Sequence, residues 1–182
     1  MAREEQNNGD EGASYHHGLS ISWKCDWHAR KNLSSLQSLK ILSIQSNRLT
    51  SITGLNDLPN LEELYISHNA LTDLSGLENN KGLRVLDFSN NKVTKLEGIA
   101  HLTQLEEVWA SSNGLSSFEE VERELADKEK LETVYFEGNP LQLQSPALYR
   151  NKVRLALPQI KQIDASKFLV QLLWNVLRAN DA

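Results

Sequence analysis

Large aromatic and acidic residues recur along this 182-residue sequence at a nearly constant interval, and together they could form a protein-binding surface. Tyr65, Asp87 and Trp109 stand 22 residues apart, and Tyr135 follows 26 residues after Trp109. Three glutamates lie within two residues of these aromatics: Glu63, Glu107 and Glu137. Aromatic rings are enriched where interfaces concentrate binding energy, and carboxylates form strong hydrogen bonds with Arg or Lys. The set predicts binding of a protein that carries apolar and basic side chains.

The sequence does not bring together the residue types that catalysis or metal binding requires. An enzyme needs a nucleophile, a base and an orienting group, or a metal cluster. His68 and His101 have no such partner at the repeat spacing, and the histidines and cysteine before residue 30 match no common zinc-binding pattern. We therefore predict that the protein is not an enzyme and has no metal or cofactor.

Asparagines and leucines carry the same period as the aromatic residues. Four asparagines stand 22 residues apart, each eight residues after a leucine, and a fifth follows after a four-residue insertion: Asn47, Asn69, Asn91, Asn113 and Asn139. This pattern is typical of leucine-rich repeats. Alternation, as in Leu86-Asp87-Phe88, predicts short strands, and apolar steps of three predict 3₁₀ turns. The predicted fold is an α/β leucine-rich-repeat solenoid with short parallel concave strands, convex 3₁₀ or α segments and a helical C-terminal cap.

Four regions follow from this pattern. They are an atypical or disordered N-terminal segment, about five repeats, a C-terminal repeat cap and an extra amphipathic tail: residues 1–31, 32–139, 140–165 and 166–182. Trp23 and Trp27 could cover the open end of the array. The tail has eight apolar residues among the ten at positions 168–177, and Ser166 could cap a helix there. Such a tail could support self-association.

Helix-start signals mark two places near the end of the array. Ser117 followed by Glu120 fits a capping box, so a convex α-helix should begin near Phe118. Ser145-Pro146 combines an N-cap residue with a proline at the first helical position. Four apolar residues of that second helix and its end are expected to cover the last repeat: Leu148, Val153, Leu155 and Leu157.

Composition limits the classes of partner. The net charge is −5, and residues 60–140 carry 16 acidic and 7 basic side chains. Phosphate binding needs a basic stripe, so we expect no nucleic acid on the repeat surface. No apolar run reaches the 18 or so residues of a membrane span. The single cysteine, Cys25, and the lack of a secretory h-region favour an intracellular compartment.

Several segments resemble the family of protein phosphatase 1 regulatory subunit 7, a leucine-rich-repeat family. They read LKILSIQSNRLT, LEELYISHN, LEEVW, LETVYFEGNPLQ and YRNKVRLALPQIKQIDA, and the resemblance extends over residues 32–165. It implies a eukaryotic, noncatalytic scaffold of the nucleus and cytoplasm whose concave face binds the catalytic subunit of protein phosphatase 1. The positions that match the family's contact residues are Asp87, Glu107, Trp109 and Tyr135. The other three candidates, Tyr65, Glu63 and Glu137, rest on the repeat spacing alone, which aligns outward-facing strand residues in columns across the predicted sheet.

Family members carry more repeats than this sequence, so it resembles a truncated form with the C-terminal repeats and cap. Two alternatives remain open at this point. The chain could be a generic leucine-rich-repeat scaffold, for example a spliceosomal one, or a truncated form that binds the phosphatase weakly. An interface that loses half its area still bears the fixed entropic cost of association.

Overall fold

The computed structural model describes residues 18–20 and 36–167, with the backbone alone for residues 18–20 and 166–167. The described strands form one sheet in chain order, in which β1 to β7 are parallel and β8 is antiparallel to β7. These strands are β1 Gly18–Ser20, β2 Ile41–Ser43, β3 Glu63–Tyr65, β4 Val85–Asp87, β5 Glu107–Trp109, β6 Thr133–Tyr135, β7 Gln162–Ile163 and β8 Ser166–Lys167. The parallel sheet with convex connections confirms the predicted solenoid.

Each repeat strand is three residues long and buries its middle residue. Leu42, Leu64, Leu86, Val108 and Val134 form that buried column, and all are fully inaccessible to solvent. Neighbouring strands pair without any shift in register, so Leu64 faces Leu42 on one side and Leu86 on the other. Side chains alternate across a strand, and the residues that flank the buried one therefore face the concave side.

The convex side consists of short turns with one α-helix. The step-of-three leucines close i→i+3 backbone hydrogen bonds, as from Leu58 N to Leu55 O and from Leu105 N to Leu102 O. Among the described residues, only Leu55–Asp57 extends this pattern into a 3₁₀ helix. The four-residue insertion gives α1, Phe118–Leu125, where the sequence predicted a helix.

The predicted N-cap of α1 is present, but its reciprocal half is not. Ser117 Oγ accepts a hydrogen bond from Glu120 N at 3.1 Å. The Glu120 carboxylate accepts instead from Leu96 N, at 3.3 Å, which ties α1 to the preceding repeat. A capping-box glutamate would fold back on the helix start, whereas this one satisfies a donor in another repeat.

Two helices cap the last repeat: α2, Pro140–Leu143, and α3, Pro146–Ala156. Val153 and Leu157 are fully buried, as predicted, but Leu148 and Leu155 are 55% and 82% exposed. The prediction was wrong for these two because Tyr149, one turn before Val153, provides the inward face of α3.

Both ends of the array differ from the sequence expectations. Gly18–Ser20 pairs with β2, so part of the N-terminal segment extends the sheet. Trp23, Trp27 and the expected helix beyond residue 167 lie outside the described residues. Ser166 does not cap a helix, because Ser166–Lys167 pairs with β7 as a strand. The free edge of β7 offers backbone groups that this pairing satisfies.

Candidate functional site

Three aromatic rings predicted as binding residues lie side by side on the concave sheet. Tyr65, on β3, and Trp109, on β5, have ring centroids 6.3 Å apart in an edge-to-face arrangement at 72°. Trp109 and Tyr135, on β6, are 5.4 Å apart and tilted at 57°. Both contacts fall in the favourable range for aromatic pairs. The three rings therefore form one continuous surface, which we call the aromatic row.

Asp87 lies beneath the aromatic row, on β4 between the strands of Tyr65 and Trp109. Those two strands are about 9.6 Å apart, twice the strand spacing, but the two rings meet at 6.3 Å. The rings thus lean toward each other over β4, and Asp87 is only 4% exposed. Its Oδ2 accepts from Gln45 Nε2 at 3.2 Å and its Oδ1 from Ser89 N at 2.9 Å. The column position alone would have left this carboxylate open to solvent.

Two of the predicted glutamates are held by the rings themselves. Tyr65 donates its hydroxyl proton to Glu63 Oε2 at 2.9 Å, and Trp109 Nε1–H donates to Glu107 Oε2 at 2.9 Å. Each pair belongs to one strand, with the partners two residues apart on the same face. The carboxylates are half-buried and fixed in orientation, so a basic group that approaches them meets preformed acceptors.

The pKa of the Tyr65 hydroxyl reflects its burial and the negative charge of this surface. Burial raises the pKa of Tyr65 from 10.0 to about 12, with further contributions from its hydrogen bond to Glu63 and from the nearby charges of Glu63, Glu107 and Asp87. A hydroxyl surrounded by carboxylates resists becoming an anion. The same field attracts cations to the aromatic row.

Glu137 and Tyr135 mark the C-terminal end of the site. Glu137 is exposed just beyond β6, and its backbone N–H donates to Asp164 Oδ1 at 3.1 Å. Gln162, from β7, donates its side-chain amide to the Tyr135 hydroxyl at 2.7 Å. Gln162 is not among the residues predicted from the sequence, because the 22-residue period has ended before it. Pairing of β7 with β6 is the signal that would have located it.

The seven predicted residues fall into one contiguous region with different accessibility. Tyr65, Trp109, Tyr135, Glu63 and Glu107 are half-buried, Glu137 is exposed and Asp87 is covered. The structure adds Gln45 and Gln162 as polar supports at the two ends. This combination can take up apolar surface on the rings and basic groups at their edges.

The described residues outside this region offer no group of three or more His, Cys, Asp or Glu side chains able to hold a metal ion. His101 Nε2 lies 2.9 Å from Leu77 O, and His68 Nε2 lies 3.4 Å from Asn90 Nδ2. Each helix in the described part of the chain is too short or too polar to cross a bilayer.

Comparison with known families supports the repeat assignment. The family model described as Leucine Rich repeats (2 copies) matches residues 37–79 and 81–123. Among solved structures, an internalin C2 from Listeria monocytogenes aligns with a TM-score of 0.58 and 30% identity, over 74% of this chain and 56% of that one. A leucine-rich-repeat protein of Leptospira interrogans gives 0.58 and 28%, over 71% and 32%.

Sequence relatives share a shorter segment. The chain is 71% identical over 52 residues to protein phosphatase 1 regulatory subunit SDS22 of Schizosaccharomyces pombe, which covers 29% of this chain and 16% of that protein. It is 56% identical over 43 residues to protein phosphatase 1 regulatory subunit 7 of Homo sapiens, covering 24% and 11%. The matched segments thus span less than a fifth of these relatives' lengths. The chain has the fold of a leucine-rich-repeat solenoid, and part of it is similar in sequence to the regulatory subunits of protein phosphatase 1.

Proposed function

We propose that this chain is a noncatalytic regulatory or scaffold subunit that binds the catalytic subunit of protein phosphatase 1. Two relatives with 71% and 56% identity over the shared segments are named as regulatory subunits of that phosphatase. The observation that carries the proposal is the aromatic row, because three adjoining rings on an open sheet face gain most when a partner covers them.

The binding mechanism follows from the order of groups across the sheet. Trp109 lies at the centre of the row, in contact with a tyrosine on each side. Its ring would pack on apolar surface of the phosphatase, while Glu107 and Glu63 accept hydrogen bonds from Arg or Lys. Asp87 acts through the field it adds beneath the rings, since the Gln45 side-chain amide and the Ser89 backbone N–H already donate to its two oxygens.

The matched relatives are much longer than the segments they share with this chain, so parts of their interfaces would lie outside those segments. Central, well-packed residues contribute most of the energy of an interface, and peripheral contacts contribute little. In our proposal the aromatic row therefore suffices for measurable affinity. We further propose a nuclear and cytoplasmic location, which imaging of a fluorescent fusion would test.

The decisive experiment is isothermal titration of the purified chain with the phosphatase 1 catalytic subunit. Trp109→Ala should weaken binding by about 2 kcal/mol or more, roughly thirtyfold, because it removes the central ring. Leu143→Ala is the control, since Leu143 is 67% exposed on α2 and lies outside the strands of the concave sheet. That variant should bind like the parent.

Two results would contradict the proposal. Equal affinity of the Trp109→Ala variant and the parent would exclude the aromatic row as the binding surface. Absence of binding by a chain with native circular dichroism would exclude the phosphatase as its partner. Copurification of small nuclear RNA with the chain from cells would then favour a spliceosomal scaffold.

A further inference from the structure

The exposed apolar residues of the described part are concentrated at one end of the molecule. Three large hydrophobic side chains there are exposed, and all belong to the cap helices: Leu143 at 67%, Leu148 at 55% and Leu155 at 82%. The repeat body, in contrast, buries its leucines almost completely. Exposed leucines that share one face of a helix are candidates for a surface that another segment covers.

Two of these leucines define one face of α3. Leu148, Lys152 and Leu155 follow the i, i+4, i+7 spacing, so they lie in a row along the helix, beside the buried face that Tyr149 and Val153 form. We call this row the outer face of α3.

A groove continues the outer face toward α1. Phe118, Leu155 and Ala156 contribute its apolar lining, and Lys152 Nζ lies 5.2 Å from the centroid of the Phe118 ring. Glu119 and Glu122 stand at its acidic rim. The groove is therefore apolar along its floor and negatively charged at one side.

The C-terminal tail leaves the sheet beside this helix. β8 pairs with β7 at the end of the sheet, and α3 is tied to the same hairpin. Arg150 NH1 donates to Ile163 O at 3.2 Å, and the Tyr149 hydroxyl donates to Asp164 Oδ1 at 3.1 Å. Residue 168 thus follows directly on a strand that lies next to α3.

The tail's composition fits the outer face and the groove. Eight of the ten residues at 168–177 are apolar, and Arg178 follows them. Extended, ten residues span up to about 33 Å, whereas an eleven-residue helix such as α3 is about 16 Å long. The tail can therefore reach the whole of α3, and its arginine can reach the acidic rim.

We propose that residues 168–177 dock on the outer face of α3 and in the adjoining groove of the same chain. Leu148 and Leu155 contact the apolar residues of the tail, and Arg178 lies against Glu119 and Glu122. The tail thereby covers the apolar patch of the cap, and the chain remains monomeric through this surface.

Fluorine NMR of the full chain labelled with fluorotryptophan tests this docking. The resonance that disappears in a Trp174→Phe variant belongs to Trp174. Its relaxation by a soluble paramagnetic agent should be several-fold weaker in the native chain than in the urea-unfolded chain, and independent of protein concentration. Leu148→Ser and Leu155→Ser should each raise that relaxation toward the unfolded value.

Leu143→Ser is the matched control, because it removes an equally exposed leucine from α2 rather than from the outer face of α3. It should leave the Trp174 signal unchanged. Full access of the agent to Trp174 in the native chain would overturn the proposal. Protection that appears only at high concentration, with a dimer mass by light scattering, would overturn it in favour of self-association. An equal effect of Leu143→Ser would also overturn it.

Discussion

At the scale of single residues, the repeat asparagines close the turns that follow strands β2 to β6. Asn91 is 9% exposed, and its Nδ2 donates to Phe88 O at 2.8 Å and to Ile66 O, in the previous repeat, at 3.1 Å. Its Oδ1 accepts from Leu71 N at 3.0 Å. These backbone groups have no partner in the sheet or in a helix, so the side chain supplies one.

Asn91→Ala should lower the free energy of unfolding by about 2 kcal/mol, because it leaves the buried Leu71 N–H without a hydrogen bond and takes one of two amide donors from Ile66 O and from Phe88 O. Urea unfolding followed by circular dichroism measures this loss. Asn151→Ala is the control, since Asn151 is exposed on α3 and alanine is a better helix former. A loss of the same size in both variants would show that the asparagine contacts are not the cause.

Tyr65 provides a pH-dependent test of the site. Its pKa, raised from 10.0 to about 12, means that the folded chain holds the phenolic proton more tightly than the unfolded chain does. The corresponding stability is therefore complete below pH 10 and is lost as the pH rises through about 12.

The difference between the absorbance titrations of the parent chain and Tyr65→Phe should show a midpoint near pH 12, as long as circular dichroism shows a folded chain. Glu63→Gln should move that midpoint down, because it removes a negative charge from the hydroxyl. It should stay above 10, since burial is the largest cause of the shift. A midpoint at pH 10 in the parent chain would contradict the burial of Tyr65 and its hydrogen bond to Glu63.

The sequence predicted which residues share a column of the concave sheet, but not how deeply each of them is buried. The 22-residue period was enough to place Tyr65, Asp87 and Trp109 in one column, because strand register fixes that column. It could not show that the rings of Tyr65 and Trp109 close over Asp87, since this depends on side-chain rotamers. The low accessibility of Asp87 was therefore not predictable from the sequence.

At the scale of elements, the two predicted helix starts differ in how they are satisfied. Ser117 caps α1 with its side chain, whereas Ser145 precedes α3 without a side-chain hydrogen bond to it. Leu148 N and Tyr149 N bond to the Ser145 carbonyl instead. A serine immediately before a helix therefore caps α1 with its side chain but does not cap α3 in this way.

Ser117→Ala should cost about 1 kcal/mol of stability, the usual value of an N-cap hydrogen bond. Ser145→Ala should cost clearly less, because the side chain makes no capping contact. The midpoints of urea unfolding compare the two variants directly. Equal midpoints would contradict the assignment of the cap.

The cap helix α3 shows where sequence patterns at this scale are ambiguous. Apolar residues alone selected Leu148 and Leu155 as inward-facing, yet both are exposed. Tyr149 is 2% exposed, and its hydroxyl bonds to Asp164. A tyrosine can be buried when its hydroxyl finds a partner, and that partner lies 15 residues further along the chain. The sequence pattern therefore predicted that α3 forms, but not which side of α3 faces the core.

At the scale of the whole molecule, charge is distributed to favour a basic partner. The pKa of Tyr65 is raised in part by the negative charges of Glu63, Glu107 and Asp87. The chain as a whole has a net charge of −5. Fields of this kind speed association and are screened by salt beyond about 10 Å at 0.1 M. Binding of the phosphatase should therefore weaken as ionic strength increases.

Measuring affinity for the phosphatase 1 catalytic subunit between about 0.05 and 0.5 M salt tests this dependence. Glu107→Gln should reduce the slope of affinity against salt, because one carboxylate of the site is lost. Glu119→Gln, on α1, should keep the parent slope although it changes the net charge equally. Identical slopes in all three chains would indicate that the partner does not approach this face.

The asparagine contacts also determine how the array would respond to force. Asn69, Asn91 and Asn113 each link their own turn to the preceding repeat through both Oδ1 and Nδ2. Tension along the solenoid axis is thus shared between these contacts and the backbone hydrogen bonds that join neighbouring strands, and both recur in each repeat. The molecule should stretch as a spring of nearly identical coils, with the concave surface flattening before any repeat detaches.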